Sequence, residues 1–351
     1  MRVLVASNMY PGPDDPDYGA FIQTMCDALG RRGAHVDRRV IATRSRGLLA
    51  TPAKYGRLAA QTLAAAKACD VIYAHYLFPT GAIAATAGRI ARRPWVVTAH
   101  GRDVRNLTRP TLRAATQRGL AGASEVIAVS RYLADELTAS GLALPPITVA
   151  HMGVDLDRFA PRDKAVARAR LGLAPDGPIV LAVGGLTERK NPVGLLQAVA
   201  LARASHPDVR VALVGDGPLV GAVEAGARRL GLSAALIRPG VVTHDAVAAW
   251  MCAADVLAVA SLVEPLGVVA LEALASGRPV VATRVGGTAE VVPRTRVGAI
   301  VDPSDPNDIA GAIAGLLSDP PSPEECREAA LPHGVDQQAM IVMDVLARAA
   351  R

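Results

Sequence analysis

Ser261-Leu-Val-Glu264-Pro-Leu-Gly267-Val-Val-Ala-Leu-Glu272-Ala-Leu-Ala-Ser-Gly277-Arg-Pro279-Val-Val-Ala282 joins two short apolar runs, Val256–Val259 and Val280–Ala282. Between them the residues read as a turn followed by a helix. Strands this short and uniformly apolar suit a parallel sheet covered on both faces. A helix begun near Pro265 offers the N–H groups of Gly267, Val268 and Val269 at its positive end, where an anion is stabilised. Eight residues of helix rise about 12 Å, so Glu264 and Glu272 are expected to reach two well-separated hydroxyls.

The same plan extends outward in both directions. Ile179–Val183, Val211–Val214 and Ala235–Ile237 read as further buried strands. Before them come Val3–Ala6, Val71–Ala74, Trp95–Thr98, Val126–Val129 and Ile147–Ala150, each followed by an Ala-rich helical stretch. Right-handed crossovers make each half a doubly wound, Rossmann-like α/β domain. The expected limits are 1–157 and 158–336, with a linker near Gly153–Lys164. Asp305–Asp319 reads as a late helix, then a turn at Pro320, Pro321 and Pro323, then a final helix near 337–351 that is left free to pack back on the first domain. Ligands of such sheets bind outside the carboxyl ends of the strands, so two facing domains imply a cleft with the motifs along it.

Composition excludes several classes. The chain has 351 residues, 51% hydrophobic, with mean hydropathy +0.27, which suits two packed cores and not global disorder. Four cysteines stand singly, without zinc or disulfide spacing. The longest charge-free apolar stretch, Val71–Gly88, is broken by His75, Pro79 and Gly81, and the first residues lack an apolar export core. A cytoplasmic location is expected. No GxxxxGK[ST] occurs and no GxGxxG follows the first strand, which weakens P-loop and dinucleotide readings.

Charge is uneven: residues 1–157 hold 19 basic against 12 acidic residues, and 158–351 hold 19 against 20. From Arg31 to Lys67 nine basic residues (Arg31, Arg32, Arg38, Arg39, Arg44, Arg46, Lys54, Arg57 and Lys67) face one acid, Asp37. This field suits an anionic acceptor or peripheral contact with the inner, acidic face of a membrane, against the plainer reading of a solvated surface. Nucleic acid is set aside, because aromatic residues make up only 3% of the chain.

The Glu264-x7-Glu272 spacing with its trailing Gly-x-Pro-Val-Val-Ala strand resembles the signature of the family-four retaining glycosyltransferases, glycosyl transferases group 1, which have the two-Rossmann GT-B fold. Gly286-Gly-Thr-Ala-Glu290 extends the likeness. The resemblance implies a nucleoside diphosphate sugar as co-substrate, no cofactor and no metal. It also implies sugar contact by Glu264, ribose contact by Glu272, and a diphosphate at Gly267, Val268 and Val269. Val183-Gly-Gly-Leu-Thr-Glu-Arg189-Lys190 resembles the family's phosphate-binding loop. Gly185 stands where an arginine is usual, so Arg189 is expected to join Lys190 in offsetting leaving-group charge. Pro239-Gly240-Val241 resembles the turn near the nucleobase, and His151-Met-Gly-Val-Asp155 the interdomain hinge. Two Asp-x-Asp triplets, at Asp15 and Asp155, lack the context of a metal motif.

In the first half, Asn8-Met-Tyr10-Pro through Tyr18-Gly19 resembles the loop after strand one, where a glycine admits close backbone approach to donor and acceptor. His75-Tyr76 and His100-Gly-Arg-Asp103 end two strands. The resemblance implies donor-sugar contact by His100, an acceptor-side role for Asp103 and acceptor contacts by His75, Tyr76 and, at the end of Val-Ile-Ala-Val, Ser130. The expected function is retaining transfer of a hexosyl or N-acetylhexosaminyl group to a hydroxyl acceptor, with a UDP-sugar the first donor and GDP-mannose the second. Retention without an obvious nucleophile fits internal return, in which the departing diphosphate takes the acceptor's proton. A nucleotide-sugar 2-epimerase of the same fold and a non-catalytic sugar-binding protein are the rivals.

Overall fold

The computed structural model describes residues 1–44 and 50–351. It divides into two compact units, Met1–Gly153 with Val335–Arg351, and Val154–Gly334. Arg46 lies outside the described residues.

In the first unit six parallel strands, β1 (Arg2–Ser7), β2 (His35–Val40), β3 (Val71–His75), β4 (Trp95–Ala99), β5 (Glu125–Ala128) and β6 (Ile147–Val149), run in the order β2-β1-β3-β4-β5-β6. The second unit repeats this with β7 (Ile179–Val183), β8 (Arg210–Val214), β9 (Leu236–Gly240), β10 (Val256–Val259), β11 (Val280–Thr283) and β12 (Gly298–Val301), in the order β12-β11-β10-β7-β8-β9. Every residue of β3, β4, β5, β10 and β11 is buried, as strands covered by helices on both faces require. Strand order reverses between β1 and β3, and again between β7 and β10. At such a point successive crossovers leave on opposite faces, and the loops at the carboxyl ends part to leave a crevice.

Two strands, β2 and β12, were not anticipated. Both lie at sheet edges, and β2 is partly exposed along its length, so His35-Val-Asp-Arg-Arg-Val40 needs no continuous apolar run. The edge strand β9 includes Pro239, which an interior position would not tolerate. The expected proline turn is shorter than foreseen. Pro323 opens a helix, Pro323–Ala330, whose Ser322 and Glu325 form a capping box at 3.2 and 2.7 Å.

The last helix, Val335–Ala349, belongs to the first unit. It buries Val335, Ala339, Val342, Val345 and Leu346, each removal from water contributing about 1–3 kcal/mol. Asp336 pairs with Arg31 at 3.1 Å, and Arg348 with Glu125 at 3.0 Å. Gln338 accepts from the His151 N–H at 2.9 Å.

Tertiary contacts reduce the basic field read from the sequence. Arg38 pairs with Asp27 at 2.9 Å, and Arg39 with Asp37. Arg44 grips Asp15 at 2.9 Å and Asp17 at 2.6 Å, and Lys54 donates to the carbonyls of Thr43 and Arg44. Acids distant in sequence supply most of these partners. Among the described residues no helix is long and apolar enough to cross a membrane.

Candidate active site

In the second unit the loops after β7 and β10 meet. After β7 the chain turns through Gly184 and Gly185 into a single 3-10 turn, Glu188–Lys190, and Asn191 caps the helix Pro192–Ala202. Leu262 N–H bonds to the Arg189 carbonyl at 2.8 Å, and the Arg189 guanidinium donates to the Val263 carbonyl at 3.2 Å. The two loops are thereby tied together. Lys190 Nζ reaches Glu264 Oε2 at 2.5 Å and Ser261 Oγ donates to the same oxygen at 3.1 Å. Gly184, Gly185, Lys190, Ser261 and Val269 line the small cavity beside them.

Glu264 is almost fully buried. Burial alone would raise its pKa, but Lys190, Arg189 and the Ser261 hydroxyl outweigh that and hold the carboxyl below its ordinary value. A buried, ionised carboxylate beside two cations is thus present before any ligand arrives.

The helix after this loop runs Val268–Ala275, with Gly267 left-handed at its N-cap (φ 86°). It does not begin near Pro265, because the positive φ of Gly267 breaks the helical path. The separation of Glu264 and Glu272 is therefore not eight residues of helical rise. Gly267, Val268 and Val269 nonetheless occupy the first turn, where N–H groups have no partners within the helix. Glu272, buried on this helix, meets His244 Nε2 at 2.8 Å. Val241, just after β9, is half-exposed.

In the first unit the residues singled out cluster after β1, β3 and β4. Tyr18 donates to the Asn8 carbonyl at 2.9 Å, and Asn8 Nδ2 to Tyr55 at 3.0 Å. Asn8 Oδ1 and the Tyr10 hydroxyl are buried without partners among the described residues. Burial pushes the Tyr10 phenol up to about 12. Gly19 caps the helix Ala20–Arg31 at φ 78°, and a Cβ there would lie 2.9 Å from the Met9 backbone. Packing against Met9 already demands glycine here, independently of any ligand.

His75 is fully buried at the end of β3, and its Nδ1 lies 3.0 Å from His100 Nε2. Burial pushes His75 down to about 3; His100 is lowered by burial and then by His75. Both rings are therefore neutral near pH 7. Tyr76, at φ 78°, places its ring 4.6 Å from that of His100, and the Phe21 ring lies 5.3 Å from it. Asp103 is buried and accepts from the N–H groups of Leu77 (2.9 Å), Gly101 (2.8 Å), His100 (3.1 Å) and Val104 (3.1 Å). Its carboxylate ties the loop after β4 to that after β3, which makes it a positioning group. Ser130 caps the helix Arg131–Ala139 by accepting from Leu133 N–H at 3.1 Å.

His244 and Arg158 escaped the sequence reading. His244 follows Thr243, the N-cap of the helix His244–Ala253, and no spacing links it to Glu272. The only local signal is a histidine in the first turn after β9. Ser261, which its position in the sequence gives no role, donates to Glu264.

With this geometry in place, known proteins give context. Residues 2–158 match the model described as Glycosyltransferase Family 4, and residues 163–331 the one described as Glycosyl transferases group 1. The D-inositol 3-phosphate glycosyltransferase of Paenarthrobacter aurescens is 33% identical over 279 residues, 75% of this chain and 68% of that protein. D-inositol 3-phosphate glycosyltransferase 2 of Catenulispora acidiphila is 40% identical over 215 residues, 58% of this chain. There the match spans only 50% of the relative's length. The crystal structure of Anabaena HepE in complex with UDP-glucose superposes with a TM-score of 0.81 at 25% identity, covering 99% of this chain and 100% of that one. Two six-stranded parallel Rossmann-like units, with matched models over both halves, place this chain in the GT-B glycosyltransferases of family four, group 1.

Proposed function

We propose that this chain transfers a hexosyl or N-acetylhexosaminyl group from a nucleoside diphosphate sugar to a hydroxyl acceptor, with retention of configuration and without a metal ion. The observation that carries the reading is the buried, ionised Glu264 held by Lys190 and Ser261 at the carboxyl end of β10, beside a helix N-terminus. Glu264 orients the sugar. Lys190, Arg189 and the N–H groups of Gly267, Val268 and Val269 offset charge developing on the leaving diphosphate. As the bond from the anomeric carbon to phosphate breaks, the acceptor oxygen bonds to that carbon on the same face, and the departing phosphate oxygen takes the acceptor's proton. His100, neutral and backed by His75, contacts the sugar, while Asp103 holds the His100 loop.

UDP is the first donor nucleotide, supported by the likeness to a UDP-glucose complex, and GDP-mannose the second. Transfer should persist in excess EDTA; activity restored only by added Mg²⁺ or Mn²⁺ would overturn the metal-free reading. Donor consumption without any acceptor would favour the epimerase.

An anionic acceptor suits the groove lined by Arg38, Arg39, Lys54 and Arg57, and the relatives named for inositol phosphate. Acceptor KM should then rise with salt, as the screening length falls from about 10 Å at 0.1 M to 3 Å at 1 M. A salt-independent KM would leave those residues as solvated surface. Binding of acidic liposomes, weakened in the same way, would extend the reading to an inner-membrane location.

Glu272→Ala should raise the donor KM about tenfold with a smaller effect on kcat, the size of one lost charge-assisted hydrogen bond of roughly 1.5 kcal/mol to a group remote from the reacting carbon. A fall confined to kcat would remove Glu272 from the ribose.

A further inference from the structure

Glu272 does not stand alone on its helix. His244 Nε2 lies 2.8 Å from its Oε1, and His244 Nδ1 lies 3.0 Å from Arg158 Nη1. Arg158 Nε in turn pairs with Asp245 at 2.9 Å. A guanidinium only donates hydrogen bonds, so the imidazole nitrogen facing it must be the bare acceptor. The ring proton then sits on Nε2 and points at Glu272. The His244 ring also packs against Phe159 at 5.1 Å, which restricts its rotation. With Oε1 engaged, Oε2 of Glu272 keeps its lone pairs for a ligand hydroxyl.

We infer that His244 is a positioning residue for the donor nucleotide: fixed by Arg158 as the Nε2-protonated tautomer, it orients the Glu272 carboxylate toward the ribose hydroxyls. The inference rests on the proposed ribose contact of Glu272 and adds to it a residue with no contact to the reacting atoms. The arrangement parallels a metal-site histidine whose second nitrogen is set by a neighbour, with a carboxylate in place of the metal. Glutamine can both donate to Glu272 and accept from Arg158, whereas leucine can do neither.

Two measurements test it. In ¹⁵N-histidine-labelled protein without ligand, the ring signals lost in His244→Gln should show a proton on Nε2 and none on Nδ1; the opposite pattern overturns the assignment whatever the enzyme binds. Calorimetric titration then uses UDP and GDP and their 2′,3′-dideoxy analogues. For whichever nucleotide the wild type binds, His244→Leu should weaken affinity about tenfold, and His244→Gln should stay within about threefold. The dideoxy analogue should bind wild type and His244→Leu alike. Unchanged affinity in His244→Leu, or an equal loss for the dideoxy analogue, overturns the orienting role while leaving glycosyl transfer intact. Discrimination against the dideoxy analogue by wild type that disappears in Glu272→Ala supports the ribose contact itself. Binding of neither nucleotide by wild type would overturn the glycosyltransfer reading and this role with it. If His244→Leu fails to fold, the tautomer and a glutamine variant that loses tenfold or more still decide the matter.

Discussion

Glu264→Gln is expected to lower kcat about 100-fold while donor KM changes little. The substitution keeps the shape of the side chain but removes the charge beside the sugar, and one lost transition-state contact of roughly 2.7 kcal/mol has that effect. Contacts to the reacting sugar can strengthen as charge develops, which places their loss in kcat rather than KM. Steady-state kinetics on a variant shown by circular dichroism to be folded check this, and a kcat within threefold of wild type would sink it. The same residue gives a pH signature in stability. Its pKa in the folded chain lies below its ordinary value of 4.5, so as pH falls the unfolded chain takes up this proton first. The ion pair with Lys190 therefore contributes fully above about pH 4.5, and its contribution is lost as pH falls through the folded value. Urea midpoints of wild type and Glu264→Gln should converge on acidification.

Gly286→Ala should be the most damaging substitution outside the charged residues. Gly286 has φ +68°, and a Cβ built there would lie 1.8 Å from the Glu264 carbonyl oxygen. The next residue, Gly287, donates its N–H to that same carbonyl at 3.0 Å. Left-handed strain of about 1–3 kcal/mol adds to a similar overpacking cost, since a backbone carbonyl cannot swing away like a side chain. About 3 kcal/mol, or a fall of roughly 6–12 °C in the Tm of the second unit, is expected. Activity should fall with it, because the clash displaces the backbone that carries Glu264. Calorimetry showing a Tm within 2 °C of wild type would refute the packing argument.

The loop of Gly286 was legible in the sequence as part of a family likeness; its mechanical reason was not. The Glu264-x7-Glu272 spacing announced two carboxylates, yet their geometry was misread, because a glycine with positive φ at 267 moves the helix start to Val268. The reason the fold itself gives for Gly19, close packing on the Met9 backbone, was not legible in its motif. Nor did the sequence show the four backbone N–H groups that hold the Asp103 carboxylate. Each depends on backbone conformation or backbone contacts, which a pattern of residue types does not display.

By itself the sequence determined the central strands, the two-unit parallel architecture and the order of the loops at the carboxyl ends. Strands buried on both faces must be continuously apolar, and the helices between them must carry a period, so both signals are local. Only the tertiary structure decided the edge strands: β2, whose partly exposed positions tolerate charge, and β12, whose four residues are too short a run to separate from a loop. It alone paired Arg44 with Asp15 and Asp17, Lys190 with Glu264, His75 with His100, Arg158 with His244, and His244 with Glu272. These partners lie from 25 to 86 residues apart. A side chain's charge state and orientation are set by what the fold brings within about 3 Å of it, and separation along the chain does not encode that distance.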